Sequence, residues 1–209
     1  MKGKFITFEG GEGVGKTTQL RMIKDYLAKK GVDAVFLREP GGNAISEKIR
    51  GIILDRANSA MTGMCEAMLY SAARAQLCEE VIRPALEEGK LVVCDRFIDS
   101  TFAYQGVARG LGGDKIDMLN NLACSDLMPD LTVFLDLEPE LAFQRKGGAD
   151  ADDRLEQEGM YFHIKVYEGY KLACKKYSER IVDIDCSSSA QDTHEKIVDA
   201  LIKRGILNR

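Results

Sequence analysis

Short runs of apolar residues alternate along the chain with longer segments of helical period. Five of the runs have the length of a buried strand, at residues 5–9, 34–37, 91–94, 131–135 and about 180–185. Because neither face of such a run is polar, the pattern indicates parallel strands that are covered by helices on both faces. The alternation therefore predicts a doubly wound α/β fold with a parallel five-stranded sheet, whose ligands bind at the carboxyl ends of the strands.

The segments between these runs predict the helices. One helix is expected over residues 15–30, ended by Gly31, and a second over residues 66–83, where Pro84 lacks the amide proton needed to continue it. A closing helix is expected from about 192 to 203. No internal repeat or linker is visible, which predicts a single domain over residues 1–209.

Composition excludes several classes of protein. Charged residues make up 30% of the chain, but its formal net charge is -4, so no basic surface for duplex DNA or RNA is expected. No apolar run approaches 18 residues and no signal peptide is visible, which predicts a soluble, cytoplasmic protein without a membrane partner. The six cysteines contain no C-x-x-C spacing and are expected to be reduced and mostly buried.

The strongest motif follows the first apolar run. Residues Gly10–Thr17 match G-x-x-x-x-G-K-[ST] between a predicted strand and a predicted helix, a context that argues against a chance match in a glycine-rich turn. Backbone amides of such a loop hold phosphates, the lysine reaches the β and γ phosphates of ATP, and the hydroxyl binds Mg²⁺. The predicted ATP site comprises Gly10, Gly11, Glu12, Gly13, Val14, Gly15, Lys16, Thr17 and Thr18.

An acidic residue, Asp95, ends another apolar strand. A phosphate-loop enzyme needs a carboxylate near its metal, so Asp95 is predicted to act with Thr17 at Mg²⁺; capping a helix is the alternative. The chain contains neither Asn-Lys-x-Asp nor Asp-x-x-Gly, which argues against a GTP-dependent switch. The motif thus favours an enzyme that phosphorylates a small molecule.

Three arginines are expected near the loop. Arg38 and Arg96 each follow a strand, and Arg50 lies on a helix one turn after Glu47, with which it could instead form an ion pair. Guanidinium groups bind phosphate through two parallel hydrogen bonds, so this set indicates an acceptor that already carries a phosphate.

An aromatic residue and an arginine share one predicted helix face. Tyr70 and Arg74 are four residues apart, and no acidic residue lies three or four positions from Arg74. A ring beside a guanidinium suits a nucleobase, although simple packing of Tyr70 is the alternative.

With these motifs in order, the chain resembles bacterial thymidylate kinases along essentially its whole length. The resemblance rests on Phe8–Thr18, on Arg38-Glu39-Pro40-Gly41-Gly42, on Ala72-Ala73-Arg74, on Asp95-Arg96-Phe97 with Ser100–Gly106, and on Pro129-Asp130-Leu131-Thr132. It implies the nucleoside-monophosphate-kinase fold with a small lid, and a homodimer. It also implies transfer of the γ-phosphoryl group of ATP, with Mg²⁺, to dTMP, giving dTDP for dTTP biosynthesis.

The resemblance also implies roles at the acceptor site. Arg38, Arg50 and Arg96 would surround the dTMP phosphate, Tyr70 would stack on thymine, and Arg74 would hydrogen-bond the base. The remaining dTMP residues would be Leu54, Ser100, Thr101, Tyr104 and Gln105, with Thr101 and Gln105 helping at the base and Tyr104 beneath the deoxyribose. The carboxylate of Glu12 would accept a hydrogen bond from the sugar 3′-OH, unless it is simply a solvent-facing loop acid.

The lid is expected at about residues 144–157. Gly13 occupies the loop position where another type of the family carries arginine, so the chain resembles the type whose arginines come from the lid. Arg154 is predicted to stabilise charge during transfer, completing a catalytic set with Lys16, Asp95 and Arg96. Arg145 is expected either at ATP or as a structural residue at a helix end.

Two other functions are compatible with the residues alone. One is a phosphate-loop kinase for another nucleotide or a nucleoside. The other is an ATP-binding regulatory module without catalysis, against which the intact Lys16, Asp95 and Arg96 argue.

Overall fold

The sheet has the predicted architecture. The structure, a computed structural model, describes residues 3–146, 154–155 and 158–208. Within them, five strands pair in parallel in the order β2-β3-β1-β4-β5. The strands are β1 (Lys4–Glu9), β2 (Ala34–Arg38), β3 (Leu91–Asp95), β4 (Leu131–Asp136) and β5 (Ile181–Asp185). Each predicted strand is confirmed to within a residue at either end.

Helices connect the strands and cover both faces of the sheet. They are α1 (Lys16–Lys29), α2 (Ala44–Leu54), α3 (Gly63–Leu77), α4 (Arg83–Glu87), α5 (Ile98–Thr101), α6 (Gly113–Cys124), α7 (Pro139–Lys146), α8 (Met160–Lys176) and α9 (Ala190–Lys203). A 3-10 turn forms at Arg56–Asn58, and two π-helical turns form at Cys78–Ile82 and Phe102–Ala108. Such π turns are rare and occur often at functional sites.

The predicted end of the second helix at Pro84 is wrong. The chain leaves α3 through the π turn at Cys78–Ile82 and continues directly into α4. The backbone N–H of Arg83 donates to Cys78 O five residues earlier, so the helix resumes with Pro84 in the first turn of α4. A proline is tolerated there because the first amides of a helix have no partner within it.

The apolar alternation along the strands builds a core on each side of the sheet. On one side, β-strand residues pack against α1 and α9 in a cluster that includes Ile6, Val93, Val133, Ile23 and Ile197. On the other side, the cluster includes Phe5, Val92 and Cys94 with Leu77 and Ile82 of the α3–α4 segment. Four of the six cysteines are buried and all six are free, as expected for reduced thiols.

Strand register brings three loops together at the carboxyl edge of the sheet. Phe8 of β1 lies beside Asp95 of β3, and Asp95 lies beside Arg38 of β2. The phosphate loop after β1, the Glu39-Pro40 segment after β2 and Arg96 after β3 therefore emerge as neighbours. This is the edge at which parallel α/β sheets bind ligands.

Most of the predicted lid lies outside the described residues, which omit 147–153, 156 and 157. The division into one domain with a lid at about 144–157 therefore stays a prediction. Across the described parts of the chain, no helix is long and apolar enough to cross a membrane.

Candidate active site

A cavity of about 490 Å³ opens at the carboxyl edge of the sheet. The phosphate loop forms one end of it, with Glu12, Gly13, Gly15, Lys16, Thr17 and Thr18. Most of the rest is formed by residues predicted for the acceptor, namely Arg50, Leu54, Tyr70, Arg74, Arg96, Ser100, Thr101, Tyr104 and Gln105, together with Asp95 and Arg145; Glu39, Pro40, Phe97, Leu155 and His163, which were not predicted, complete it. Seventeen predicted residues from five separate stretches of the chain thus meet around one space. Of the other predicted residues, Gly10, Gly11 and Val14 lie within the same loop, whereas Arg38 and Arg154 do not line the cavity.

The phosphate loop encloses the amino group of its own lysine. Lys16 Nζ donates to Gly10 O at 3.0 Å and to Gly11 O at 2.8 Å, and its residue is 9% exposed. Burial, together with the positive charge of Arg96, lowers the pKa of Lys16 to about 8, although the charge of Glu12 opposes the shift. The amino group is therefore held by main-chain carbonyls at the N-terminal end of α1, where a polyphosphate would be a stronger partner.

Gly13 leaves no room for a side chain in this loop. Its φ angle is +74°, and a Cβ atom there would lie 2.5 Å from Ala142 O of α7. An arginine at this position would require both an unfavourable backbone and a shift of α7. The phosphate loop alone therefore offers Lys16 as its cation, which agrees with the expectation that further positive charge comes from elsewhere.

Arg96 joins the two ends of the cavity. Its Nη1 donates to Gly10 O at 2.9 Å and its Nη2 to Glu12 Oε1 at 2.6 Å, while its guanidinium lies 5.2 Å from the ring centroid of Tyr104. The backbone of Arg96 has φ = +67°, which costs a non-glycine residue about 1 kcal/mol or more. These contacts hold the strained residue in place, and they show that Glu12 is an ion-paired residue rather than a solvent-facing loop acid.

Glu9, the last residue of β1, was assigned only to a strand by the sequence analysis. It is fully buried and accepts hydrogen bonds from Phe97 N at 2.7 Å, Ser100 Oγ at 2.6 Å and Tyr170 Oη at 3.0 Å. Burial, together with the charge of Asp99, raises the pKa of Glu9 to about 7, against the hydrogen bond from Ser100 and the charge of Arg96. Its position directly before the phosphate loop was the available signal, because an acid that ends a buried strand faces the site in this fold.

Asp95 has an oxygen suited to a metal. Its Oδ1 is buried and has no hydrogen-bond partner among the described residues. The helix-cap alternative is not seen, since Glu9 rather than Asp95 accepts the amides of Phe97 and Ser100 at the start of α5. Mg²⁺ is commonly held by one or two protein oxygens, with phosphates and water supplying the rest, and Thr17 and Asp95 fit that donor set. Nowhere in the described chain do three His, Cys, Asp or Glu side chains cluster as a metal site of their own.

The part of the cavity predicted to hold a base, which we call the base end, is built around a buried arginine. Arg74 is 1% exposed, and its Nε donates to Glu39 Oε2 at 2.8 Å, Nη1 to Asn120 Oδ1 at 2.7 Å and Nη2 to Thr101 Oγ1 at 2.9 Å. Its ion partner Glu39 is 35 residues away in sequence, which explains why no acid was found near Arg74. Glu39 and Asn120 were not predicted; Glu39 stands within the quoted Arg38-Glu39-Pro40 motif, whereas Asn120 carries no signal in the sequence.

Comparison with known proteins identifies the family. The model of the family described as thymidylate kinase matches residues 8–197. This chain belongs to the thymidylate kinase family. It is 47% identical over 203 residues to the thymidylate kinase of Thermoanaerobacter sp. (strain X514), covering 97% of this chain and 99% of that one. It is 48% identical over 201 residues to that of Caldanaerobacter subterraneus subsp. tengcongensis, covering 96% of each chain.

The fold of this thymidylate kinase family member agrees with that of a solved relative. The crystal structure of thymidylate kinase from Ehrlichia chaffeensis superposes with a TM-score of 0.78 at 32% identity, covering 96% of this chain and 99% of the other. The expected nucleoside-monophosphate-kinase fold and the resemblance stated from the motifs are therefore confirmed.

Two arginines predicted to bind phosphate are hydrogen-bonded to other groups of this same chain. Arg38 Nη2 donates to both carboxylate oxygens of Glu47 at 3.0 Å, so Glu47 pairs with Arg38 rather than forming the pair considered with Arg50. Arg50 Nη1 donates to Pro40 O at 3.0 Å from the wall of the cavity. Arg38 Nη1 reaches the same carbonyl at 2.9 Å, so both guanidinium groups converge on the Glu39-Pro40 segment.

The two lid-side arginines differ in position. Arg145 lines the cavity and donates to Cys186 O and Ser187 O, both at 2.6 Å, so it has the structural contacts considered as its alternative. Arg154 is buried away from the cavity lining, where it pairs with Glu66 and donates from Nε to Ile53 O at 3.0 Å. The structure therefore does not bring Arg154 to the phosphate loop, and its catalytic role stays a prediction.

Proposed function

We propose that this chain transfers the γ-phosphoryl group of ATP to dTMP, giving dTDP. The observation that carries the proposal is one cavity with two chemically different ends in a thymidylate kinase family member: a phosphate loop at one end and the buried, hydrogen-bonded Arg74 at the other. The loop and Arg96 suit a polyphosphate and an acceptor phosphate. Arg74, Tyr70 and Gln105 suit a planar base with hydrogen-bonding edges.

The donor half of the reaction is electrostatic. Loop amides and Lys16 hold the ATP phosphates, and Lys16 exchanges its bonds to Gly10 O and Gly11 O for phosphate oxygens. Thr17 and the oxygen of Asp95 that has no partner among the described residues would hold Mg²⁺, which would neutralise charge on the phosphates. Phosphoryl transfer then needs positioning and charge compensation rather than covalent chemistry by the protein.

The acceptor half uses arginines and a ring. Arg96 contacts the dTMP phosphate from between the loop and Tyr104, and Arg50 approaches it from the Pro40 side. Arg38 does not line the cavity and must exchange Glu47 for the phosphate to reach it. Tyr70 stacks on thymine, Leu54 and Ser100 border the nucleotide, and Tyr104 supports the deoxyribose. The ion pair between Glu12 and Arg96 weakens, and Glu12 accepts a hydrogen bond from the 3′-OH.

Arg154 supplies charge during transfer in this proposal, and Arg145 contacts ATP from the wall it already lines. Arg154 must exchange Glu66 for phosphate to act in this way. Arg154→Ala should therefore lower kcat more than it raises KM. An unchanged kcat would assign the charge-stabilising role to another residue.

We further propose a homodimer. Met118 and Leu122, one turn apart on α6, are 66% and 74% exposed, and Met68 of α3 is 55% exposed. Large apolar side chains of this kind on packed neighbouring helices suit an interface. Sedimentation of the wild type as a dimer, and of Leu122→Glu as a monomer, would support this assembly. A monomeric wild type would exclude it. The cytoplasmic location stays a prediction.

The decisive experiment is a coupled assay of ADP release with dTMP, dUMP, dCMP, dGMP, dAMP and UMP as acceptors. dTMP should give the highest kcat/KM. A better acceptor among the others would favour the kinase for another nucleotide, and ATP binding without turnover of any acceptor would favour the regulatory module.

A further inference from the structure

Glu66 is a buried carboxylate on the face of α3 that borders the cavity. It lies four residues before Tyr70 and eight before Arg74, so the three side chains form one stripe along the helix. Tyr70 and Arg74 line the cavity, whereas Glu66 stands behind it with no exposed surface. Burying an acid completely is energetically costly, so a fully buried acid in line with two cavity-lining residues requires an explanation.

The two oxygens of Glu66 have different partners. Oε1 accepts from Gln105 Nε2 at 2.7 Å, and Oε2 accepts from Arg154 Nη2. Arg109 lies 3.4 Å from each oxygen and is itself held by Glu158 at 2.6 Å. With two guanidinium groups against it, the carboxylate presents acceptors only.

This arrangement fixes which way the Gln105 amide points. An amide has a donor end and an acceptor end of nearly the same shape, and its neighbours decide its orientation. Because Glu66 can only accept, Gln105 must turn its NH2 group toward Glu66. Its carbonyl oxygen accepts no hydrogen bond from the part of the chain described, and Gln105 lines the cavity. The carbonyl oxygen is therefore the amide atom left for a bound base.

We infer that Glu66 is a positioning residue for base selectivity: by orienting Gln105, it makes the site accept a hydrogen bond from N3–H of thymine. This inference rests on the proposed function. Thymine and uracil carry a donor at N3, whereas cytosine carries an acceptor there, which would face the Gln105 oxygen without a proton between them. A site whose groups match the hydrogen-bonding pattern of one base leaves polar groups unpaired when a base with the opposite pattern binds. Such a site therefore discriminates strongly between the two bases.

The test is Glu66→Gln, which keeps the shape but adds a donor. Arg109, which stays beside position 66 when Arg154 moves to phosphate, retains the new amide's oxygen, so its NH2 group faces Gln105 and the Gln105 amide turns over. The base then meets a donor at N3. We expect kcat/KM for dTMP to fall about tenfold to a hundredfold, and the dTMP:dCMP ratio of kcat/KM to fall by at least as much. The dTMP:dUMP ratio should stay constant, because both bases carry N3–H.

A matched control removes another contact to the same carboxylate. Arg109→Met deletes the longer ion pair, leaves the Gln105 hydrogen bond, and should keep the dTMP:dCMP ratio. In a Gln105→Leu background, Glu66→Gln should have no further effect on that ratio, because the group through which it acts is gone. A role confined to stability would instead leave the dTMP:dCMP ratio unchanged in both backgrounds and lower only the free energy of unfolding.

The outcomes separate this inference from the proposed function. A wild-type enzyme that does not prefer dTMP to dCMP contradicts the function itself. A wild-type preference that folded Glu66→Gln retains overturns only the role of Glu66. If Glu66→Gln does not fold, Glu66→Asp replaces it: a shorter acceptor-only carboxylate should keep the ratio even where kcat/KM falls, and a lost ratio would overturn the inference.

Discussion

The two ends of the cavity hold their charged groups in opposite ways. At the phosphate end, Lys16 is bonded to the carbonyls of its own loop, and Arg96 is bonded to Glu12, a residue of that same loop. At the base end, Arg74 is fully buried and has partners on three other segments, Glu39, Thr101 and Asn120. In the proposed function, ligands take the positions of the first set of contacts, whereas the second set is part of the core.

This difference indicates two modes of recognition. A base is neutral and is recognised through hydrogen bonds, so its affinity is higher when the groups that contact it are already fixed in place. Phosphates are charged and can displace weaker hydrogen-bond partners. The cations that bind phosphate can therefore hydrogen-bond carbonyls or one carboxylate of the protein when no phosphate is bound. The base end should therefore contribute more to stability, and the phosphate end more to turnover.

The largest expected effect is on stability at the base end. Arg74→Leu leaves Glu39 buried and unpaired, and we expect a loss of about 3–5 kcal/mol in the free energy of unfolding, measured by urea denaturation. The control is Arg38→Met, which breaks the half-exposed pair with Glu47 and should cost at most about 1 kcal/mol. Equal losses for the two variants would contradict the proposed difference between the ends.

Turnover should respond at the phosphate end instead. Lys16→Met keeps the apolar stem but removes the charge, and kcat should fall about 10²- to 10³-fold, the cost of losing one preorganised charged donor. The melting temperature should not fall, because the group lost is an amino group whose burial already lowers its pKa to about 8. A variant that melts much lower, with kcat reduced only in proportion to unfolded protein, would show a structural role for Lys16.

Glu9 sharpens the comparison, because it is a fixed and buried group at the phosphate end. Its pKa is raised from 4.5 to about 7, so between these values the folded state binds more protons than the unfolded state. Stability should therefore fall as pH rises from about 4.5 to about 7, by at most about 3 kcal/mol. Glu9→Gln should remove this part of the pH dependence, as measured by denaturation at several pH values. Parallel curves for variant and wild type would rule out the shift.

The same difference between the ends explains how much the sequence could predict. Strand runs and the phosphate-loop motif are local patterns, so the sheet and the positions of Lys16 and Asp95 could be predicted. Partners fixed by tertiary packing could not: Glu39 and Asn120 reach Arg74 from 35 and 46 residues away. The helix end expected at Pro84 failed for a related reason, since a π turn stabilised by packing replaced the break.

The smallest expected effect tests whether Glu12 exchanges its partner. In the structure it pairs with Arg96 at 2.6 Å, and the proposed function gives it the sugar 3′-OH. Glu12→Ala should weaken dTMP binding about tenfold and ATP binding less, as measured by titration calorimetry, since a hydrogen bond to a charged group is lost. Loss of the Arg96 pair alone could also change dTMP binding, so a second ligand is needed to separate the two causes.

That ligand is 3′-deoxy-dTMP, which lacks the hydroxyl but keeps the phosphate and base. If Glu12 binds the 3′-OH, Glu12→Ala should leave the affinity for 3′-deoxy-dTMP close to that of the wild type, because the interaction is absent in both. Glu12→Gln keeps an acceptor and should recover part of the affinity for dTMP. If Glu12→Ala weakens dTMP and 3′-deoxy-dTMP equally, Glu12 acts only by holding Arg96, and the phosphate end would then contain one fixed ion pair rather than an exchangeable one.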